Sequence, residues 1–228
     1  MNITANRLTA ASGLCAAAAG AIFIGVQINH PPADVAHIAT TEIAVREAAK
    51  ILMTILALVG FTGMFLRNRR RFGVLGLAGY LLLTVGYLAI FAVQVIVACV
   101  LPALAQSNPG YVQDVLDAGV GGSPLGDIGH LHELFLVSGI GYSLGGLLFG
   151  IALFRAGVLA RWASLLLAYA TTSALALAVL PESFSRPFAV PTGVALIGLG
   201  ISLWRDQRRQ AQTVDAPATA RVAEPTTR

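Results

Sequence analysis

Leu134-Phe135-Leu136-Val137-Ser138-Gly139-Ile140-Gly141-Tyr142-Ser143-Leu144-Gly145-Gly146-Leu147-Leu148-Phe149-Gly150-Ile151-Ala152-Leu153-Phe154 carries no charged side chain anywhere along its length. About 20 helical residues cross the ~30 Å hydrocarbon layer of a bilayer. Lipid offers backbone N–H and C=O groups no water, so an uncharged run of this length is predicted to be a helix. Gly141 and Gly145, and then Gly146 and Gly150, stand four apart. Small residues at that spacing let helix backbones approach closely. The run is therefore predicted to pack centrally in a bundle; a dimer face is the other use of the same pattern.

Immediately before it stands Ser123-Pro124-Leu125-Gly126-Asp127-Ile128-Gly129-His130-Leu131-His132-Glu133. Ser123-Pro124 is a cap followed by a proline, the signal of a helix start. A helix beginning there places Asp127, His130 and Glu133 three apart on one face, with His132 pointing away. Carboxylate, imidazole and carboxylate on one face form a partial site for a divalent metal ion or a route for protons. His30, His37 or Glu42 from another loop would complete it. The plainer reading is a polar helix mouth in which Asp127 favours the helix dipole. His-x-His-Glu is not the His-Glu-x-x-His signature of zinc hydrolases.

The rest of the chain repeats the apolar theme. It is 56% hydrophobic and only 11% charged, against about 25% charged in a soluble domain. Six spans are expected, at about 9–28, 48–66, 73–101, 131–154, 162–180 and 188–204. The first is too long for a signal-peptide core and is read as a retained span. Leu14 before Cys15 spoils a lipoprotein cleavage box. Asn29-His30-Pro31-Pro32 ends span 1. Residues 33–49 are expected to form a helix, capped by Asp34, that runs into span 2, with Lys50 reaching back to the interface. Asn108-Pro109-Gly110 opens a short interfacial helix ending at Gly119. Residues 205–228 read as a polar, disordered tail.

Arginine placement orients the bundle. With both termini cytoplasmic, Arg7, Arg67, Arg69, Arg70, Arg71, Arg155, Arg161 and five tail arginines lie inside; Arg46, Lys50 and Arg186 lie outside, a split of 12 to 3. Basic residues concentrate on the cytoplasmic side of membrane proteins. This arrangement puts all four histidines on the outer face.

The fold expected is thus an all-α, polytopic membrane protein, a six-transmembrane-helix bundle in the cell membrane with a disordered tail. The ligand or metal candidates are His30, His37, Asp127, His130 and Glu133. Gly141, Gly145, Gly146 and Gly150 are the helix-packing candidates. The cofactor is left open between none and a divalent metal. Haem is the weakest option, because the histidines sit at span ends. Cys15 and Cys99 fall near opposite ends of their spans and are not expected to pair. No phosphate loop or nucleotide fingerprint occurs, so ATP is not an expected partner, and the scattered basic clusters carry no nucleic-acid signal. The expected partner is the lipid bilayer, with a homo-oligomer or a larger membrane assembly left open. Three functional readings remain: a ligand- or metal-binding membrane protein or assembly subunit, a membrane-embedded metal-dependent hydrolase, and a small-solute transporter.

Overall fold

The structure is a computed structural model that describes residues 5–173, 175 and 185–215. Among these the chain is entirely helical: α1 (Ala5–Gly25), α2 (Thr41–Cys99), α3 (Leu101–Leu104), α4 (Pro109–Gly119), α5 (Leu131–Ala156), α6 (Arg161–Ser173) and α7 (Ser185–Asp215). Three of them, α1, α2 and α5, are long and apolar enough to cross a membrane.

The 59 residues of α2 are not one rod. Gly73 adopts φ 56° and ψ −158°, outside the helical region. The chain reverses there. Phe61 and Tyr87 meet edge to face at 5.0 Å, and Phe65 stacks on Tyr80 at 4.5 Å. In a straight helix, residues 26 apart would stand about 39 Å apart. The two arms, 41–72 and 74–99, therefore lie side by side, with Arg67 to Arg71 at the turn.

Around this hairpin the packing runs in a closed circuit. The first arm meets α1, α1 meets α7, α7 meets α6, α6 meets α5, and α5 returns to the second arm. Each junction is made by small residues. A Cβ on Gly13 would lie 2.7 Å from the Gly200 carbonyl oxygen, and one on Gly145 would press into the Leu83 backbone. Gly141, Gly145, Gly146 and Gly150 are all buried, the first two against the second arm and the last two against α6, so α5 packs closely on two neighbours in the circuit. Within the circuit Phe61, Met64, Leu83, Phe149, Leu153 and Leu199 are fully buried.

Outward faces are apolar too. Leu52, Ile55 and Val59 on the first arm, Leu77, Leu81 and Val85 on the second, and Leu136, Ile140 and Leu144 on α5 are all exposed at helical spacing. A belt of this kind fits a lipid surround, since large contiguous apolar surfaces are rare on soluble monomers.

One end of the bundle gathers arginines. Arg67 grips Asp206 of α7 (Nε to Oδ2, 2.6 Å) and Arg71 donates to the Ala156 carbonyl that ends α5. The opposite end carries a second apolar cluster that holds α3 and α4 down through Leu101, Val112, Val115, Ile38 and Ile128.

Three local expectations are corrected. Helix α2 starts at Thr41 with Thr40 as its cap, not at residue 33; Asp34 instead closes a single turn by accepting from the His37 N–H at 3.0 Å. Helix α5 starts at Leu131, not at Pro124. Helix α7 continues to Asp215, so the first part of the expected tail is helical. The end of the fifth expected span, Glu182 in the loop after it, and the remainder of the tail lie outside the described residues.

Candidate functional site

The late start of α5 has a local cause. The Asp114 carboxylate of α4 accepts from the N–H groups of Leu125 (2.8 Å) and Gly126 (3.1 Å), and Asp127 accepts from Gly129 N–H at 2.8 Å. Gly129 has φ 60°. Side-chain acceptors thus take the N–H groups a helix would need, the usual competition of Asp with helical backbone. Asp127 is left on the loop, off the face shared by His130 and Glu133. His130 is fully exposed, and its Nδ1 lies 3.6 Å from Glu133 Oε2. His132 is exposed as well. Among the described residues no three His, Cys, Asp or Glu side chains come together as a metal site.

His30 and His37 lie elsewhere, in the loop between α1 and α2. The His30 Nδ1–H donates to the Pro31 carbonyl at 2.7 Å. The His37 Nδ1–H donates to Asp34 Oδ1 at 2.6 Å. That hydrogen bond holds the Asp34 carboxyl below its ordinary value of 3.8, outweighing desolvation. His30 and Asp34 share the rim of a cavity. The five site candidates are therefore divided: His30 lines the cavity mouth, His37 touches it only through its bond to Asp34, and Asp127, His130 and Glu133 are exposed and outside its lining.

The cavity lies behind that mouth, between the end of α1, the two arms of α2, α4 and the start of α5. Its upper chamber, about 320 Å³, is walled by Ile38, Ile43, Val97, Leu116 and Phe135. A lower chamber of about 400 Å³ reaches down to Tyr87 and Tyr142. The two share Gln27, Lys50, Ile90, Gln94, Gly119 and Ser138, so they are adjacent. The floor of the lower one is aromatic: Tyr87 packs on Phe61, and Phe61 packs edge to face on Phe149 at 5.9 Å. The Tyr142 and Thr192 hydroxyls, 2.8 Å apart, tie α5 to α7 beside that floor.

One ion pair stands in the wall. Glu47 is 3% exposed, and its Oε1 accepts from Lys50 Nζ at 2.6 Å. Its second oxygen, Oε2, is buried without a hydrogen-bond partner. A buried polar atom left unpaired costs about 1–3 kcal/mol and is uncommon in folded proteins. Lys50 is mostly buried and paired with Glu47. The neighbouring Arg46 clamps the end of α1: its guanidinium donates to the carbonyls of Val26, Ile28 and Asn29, each at 3.0 Å, while Glu42 orients it. That clamp fixes the cavity wall on the α1 side and suits the negative end of a helix dipole.

The spacing of Glu42, Arg46 and Lys50 suggests a polar stripe at a helix mouth, which hides two different jobs. Arg46, Glu47 and Lys50 read in the sequence as ionisable residues at the mouth of span 2, explained by mutual pairing and reach to the interface; the structure sets Glu47 apart as the buried carboxylate of the three. Its signal was a carboxylate three residues before the chain's single lysine. Compared with known protein families, with curated proteins and with solved structures, the chain gives no match.

Proposed function

We propose that this chain is a six-span integral membrane protein, both termini cytoplasmic, whose outward-opening cavity binds a small amphiphilic molecule. The six-span reading counts the two arms of α2 separately and adds α6 and α7 to the three helices that are long and apolar enough to cross a membrane. The observation that carries the binding reading is the unpaired Glu47 Oε2 in the wall of a chamber of about 320 Å³. Ligand sites in proteins run about 300–1,000 Å³, mostly apolar with a few placed polar groups. Here the apolar walls fit a hydrocarbon body. Glu47, Gln27, Gln94 and Ser138 supply the polar contacts. Because Lys50 already balances the Glu47 charge, the complement of Oε2 is a neutral hydrogen-bond donor rather than a cation.

The test uses purified protein in detergent with medium-chain alkanols and their methyl ethers, which differ only in the donor. Alkanols should raise the thermal midpoint and the ethers should not. Equal shifts from both, or none from either, would sink the reading. Transport is the second reading, supported by the extension of the cavity past Gln27 and Gln94 to Tyr142. It requires flux of the same alkanol-like solute in proteoliposomes.

A further inference from the structure

A separate groove runs between α6 and α7 on the outside of the bundle, at the arginine-bearing end. It encloses about 540 Å³. Its floor is one stripe of α7: Val194, Ile197 and Ile201, then Arg205 and Arg209. These positions recur every three or four residues, so they stand one above another on a single face. Trp162 of α6 forms the facing wall, 57% exposed, with its ring seated where a side chain on Gly198 would lie.

The charges in this groove are not balanced. Asp206 also borders it, but its carboxylate is taken by Arg67, Gln207 and Gln210. Arg205 and Arg209 are exposed, and among the described residues neither has a hydrogen-bond or ion-pair partner. An apolar trough therefore leads into two uncommitted guanidinium groups. Guanidinium matches phosphate oxygens in a planar fork. Basic pockets between membrane helices hold anionic lipid headgroups, and tryptophan favours the interface at which those headgroups lie.

We infer that this groove is a binding site for an anionic phospholipid, with one acyl chain along Val194, Ile197 and Ile201 and the phosphate on Arg205 and Arg209. The site is independent of the cavity beside Glu47, and it commits to a lipid because the apolar stripe would be left uncovered by a free phosphate ion.

The chain has two tryptophans, Trp162 and Trp204, so a Trp204→Phe variant makes Trp162 the sole reporter. The full chain would be placed in bilayers containing brominated-chain phosphatidylglycerol or brominated-chain phosphatidylcholine, and quenching of Trp162 followed. Phosphatidylglycerol should reach half-quenching at a mole fraction about fivefold lower than phosphatidylcholine. Raised salt should shrink that preference, and the Arg205→Gln, Arg209→Gln double variant should lose it while still being quenched by both lipids. Should the double variant fail to fold, judged by helical circular dichroism, the salt series on the Trp204→Phe protein decides alone. Equal quenching by the two lipids, a salt-insensitive preference, or a preference that survives loss of both arginines overturns the assignment.

Discussion

At the scale of single residues, the Glu47–Lys50 pair decides most. Removing one partner of a buried ion pair leaves the other charge uncompensated and costs about 3–5 kcal/mol, whereas replacing both by apolar groups of similar volume is often neutral. Glu47→Ala should therefore lower stability in detergent by about 3 kcal/mol, and Glu47→Leu with Lys50→Met should recover most of it. Unfolding by a denaturing detergent reads both; a stable Glu47→Ala protein would mean that the pair contributes little. Asp34 behaves differently because its carboxyl is exposed to solvent. Its lowered pKa means that the folded loop favours the ionised form through the His37 hydrogen bond. The contribution is fully present above the ordinary value of 3.8 and is lost as pH falls below that, through the lowered folded value. Hydrogen exchange over residues 33–40 should stay slow down to about pH 4 and quicken below it, and in Asp34→Ala it should be fast throughout. A loop that loosens already between pH 7 and 5 would place the titration on another group.

Helices add a second level, where glycine position matters more than glycine number. Gly145 and Gly139 sit on the same helix, yet a side chain on Gly145 would strike Leu83 backbone while one on Gly139 meets open space. Overfilling a packed contact costs about 1–3 kcal/mol. Gly145→Ala should lower the thermal stability of the purified protein by that amount and Gly139→Ala should not lower it; equal effects would mean that α5 is not held against the second arm. This much was legible in sequence, because the four-residue spacings in 134–154 mark close-packing positions on one helix, Gly141 and Gly145 against the second arm and Gly146 and Gly150 against α6. The beginning of the same helix was not. Ser123-Pro124 signals a start, but Asp114 and Asp127 claim the local N–H groups, and the first of those acceptors comes from another helix. The cavity was hidden for a related reason. Gln27, Gln94 and Ser138 are single polar residues in three separate apolar stretches and Glu47 sits in a charged segment, and nothing along the chain says that they face one another.

For the molecule as a whole, the proposed orientation makes a plain prediction about access. Cys99 is exposed at the end of α2 near the cavity mouth, while Cys15 is only partly accessible within α1. In intact spheroplasts a membrane-impermeant maleimide should label Cys99 from outside and leave a Cys99→Ser variant unlabelled, and a reporter fused after Arg228 should read as cytoplasmic. Labelling of Cys99 only after lysis would reverse the orientation and turn the cavity to the other side. The reversal at Gly73 bears on how such a bundle is made. Phe61, Phe65, Tyr80 and Tyr87 are joined through a loop of one residue, so their contacts close at minimal chain entropy. During synthesis the two arms can pair in the bilayer before α5 has left the ribosome. The protein's biogenesis would then begin from its middle, with the hairpin as the template on which α1 and later α5, α6 and α7 assemble.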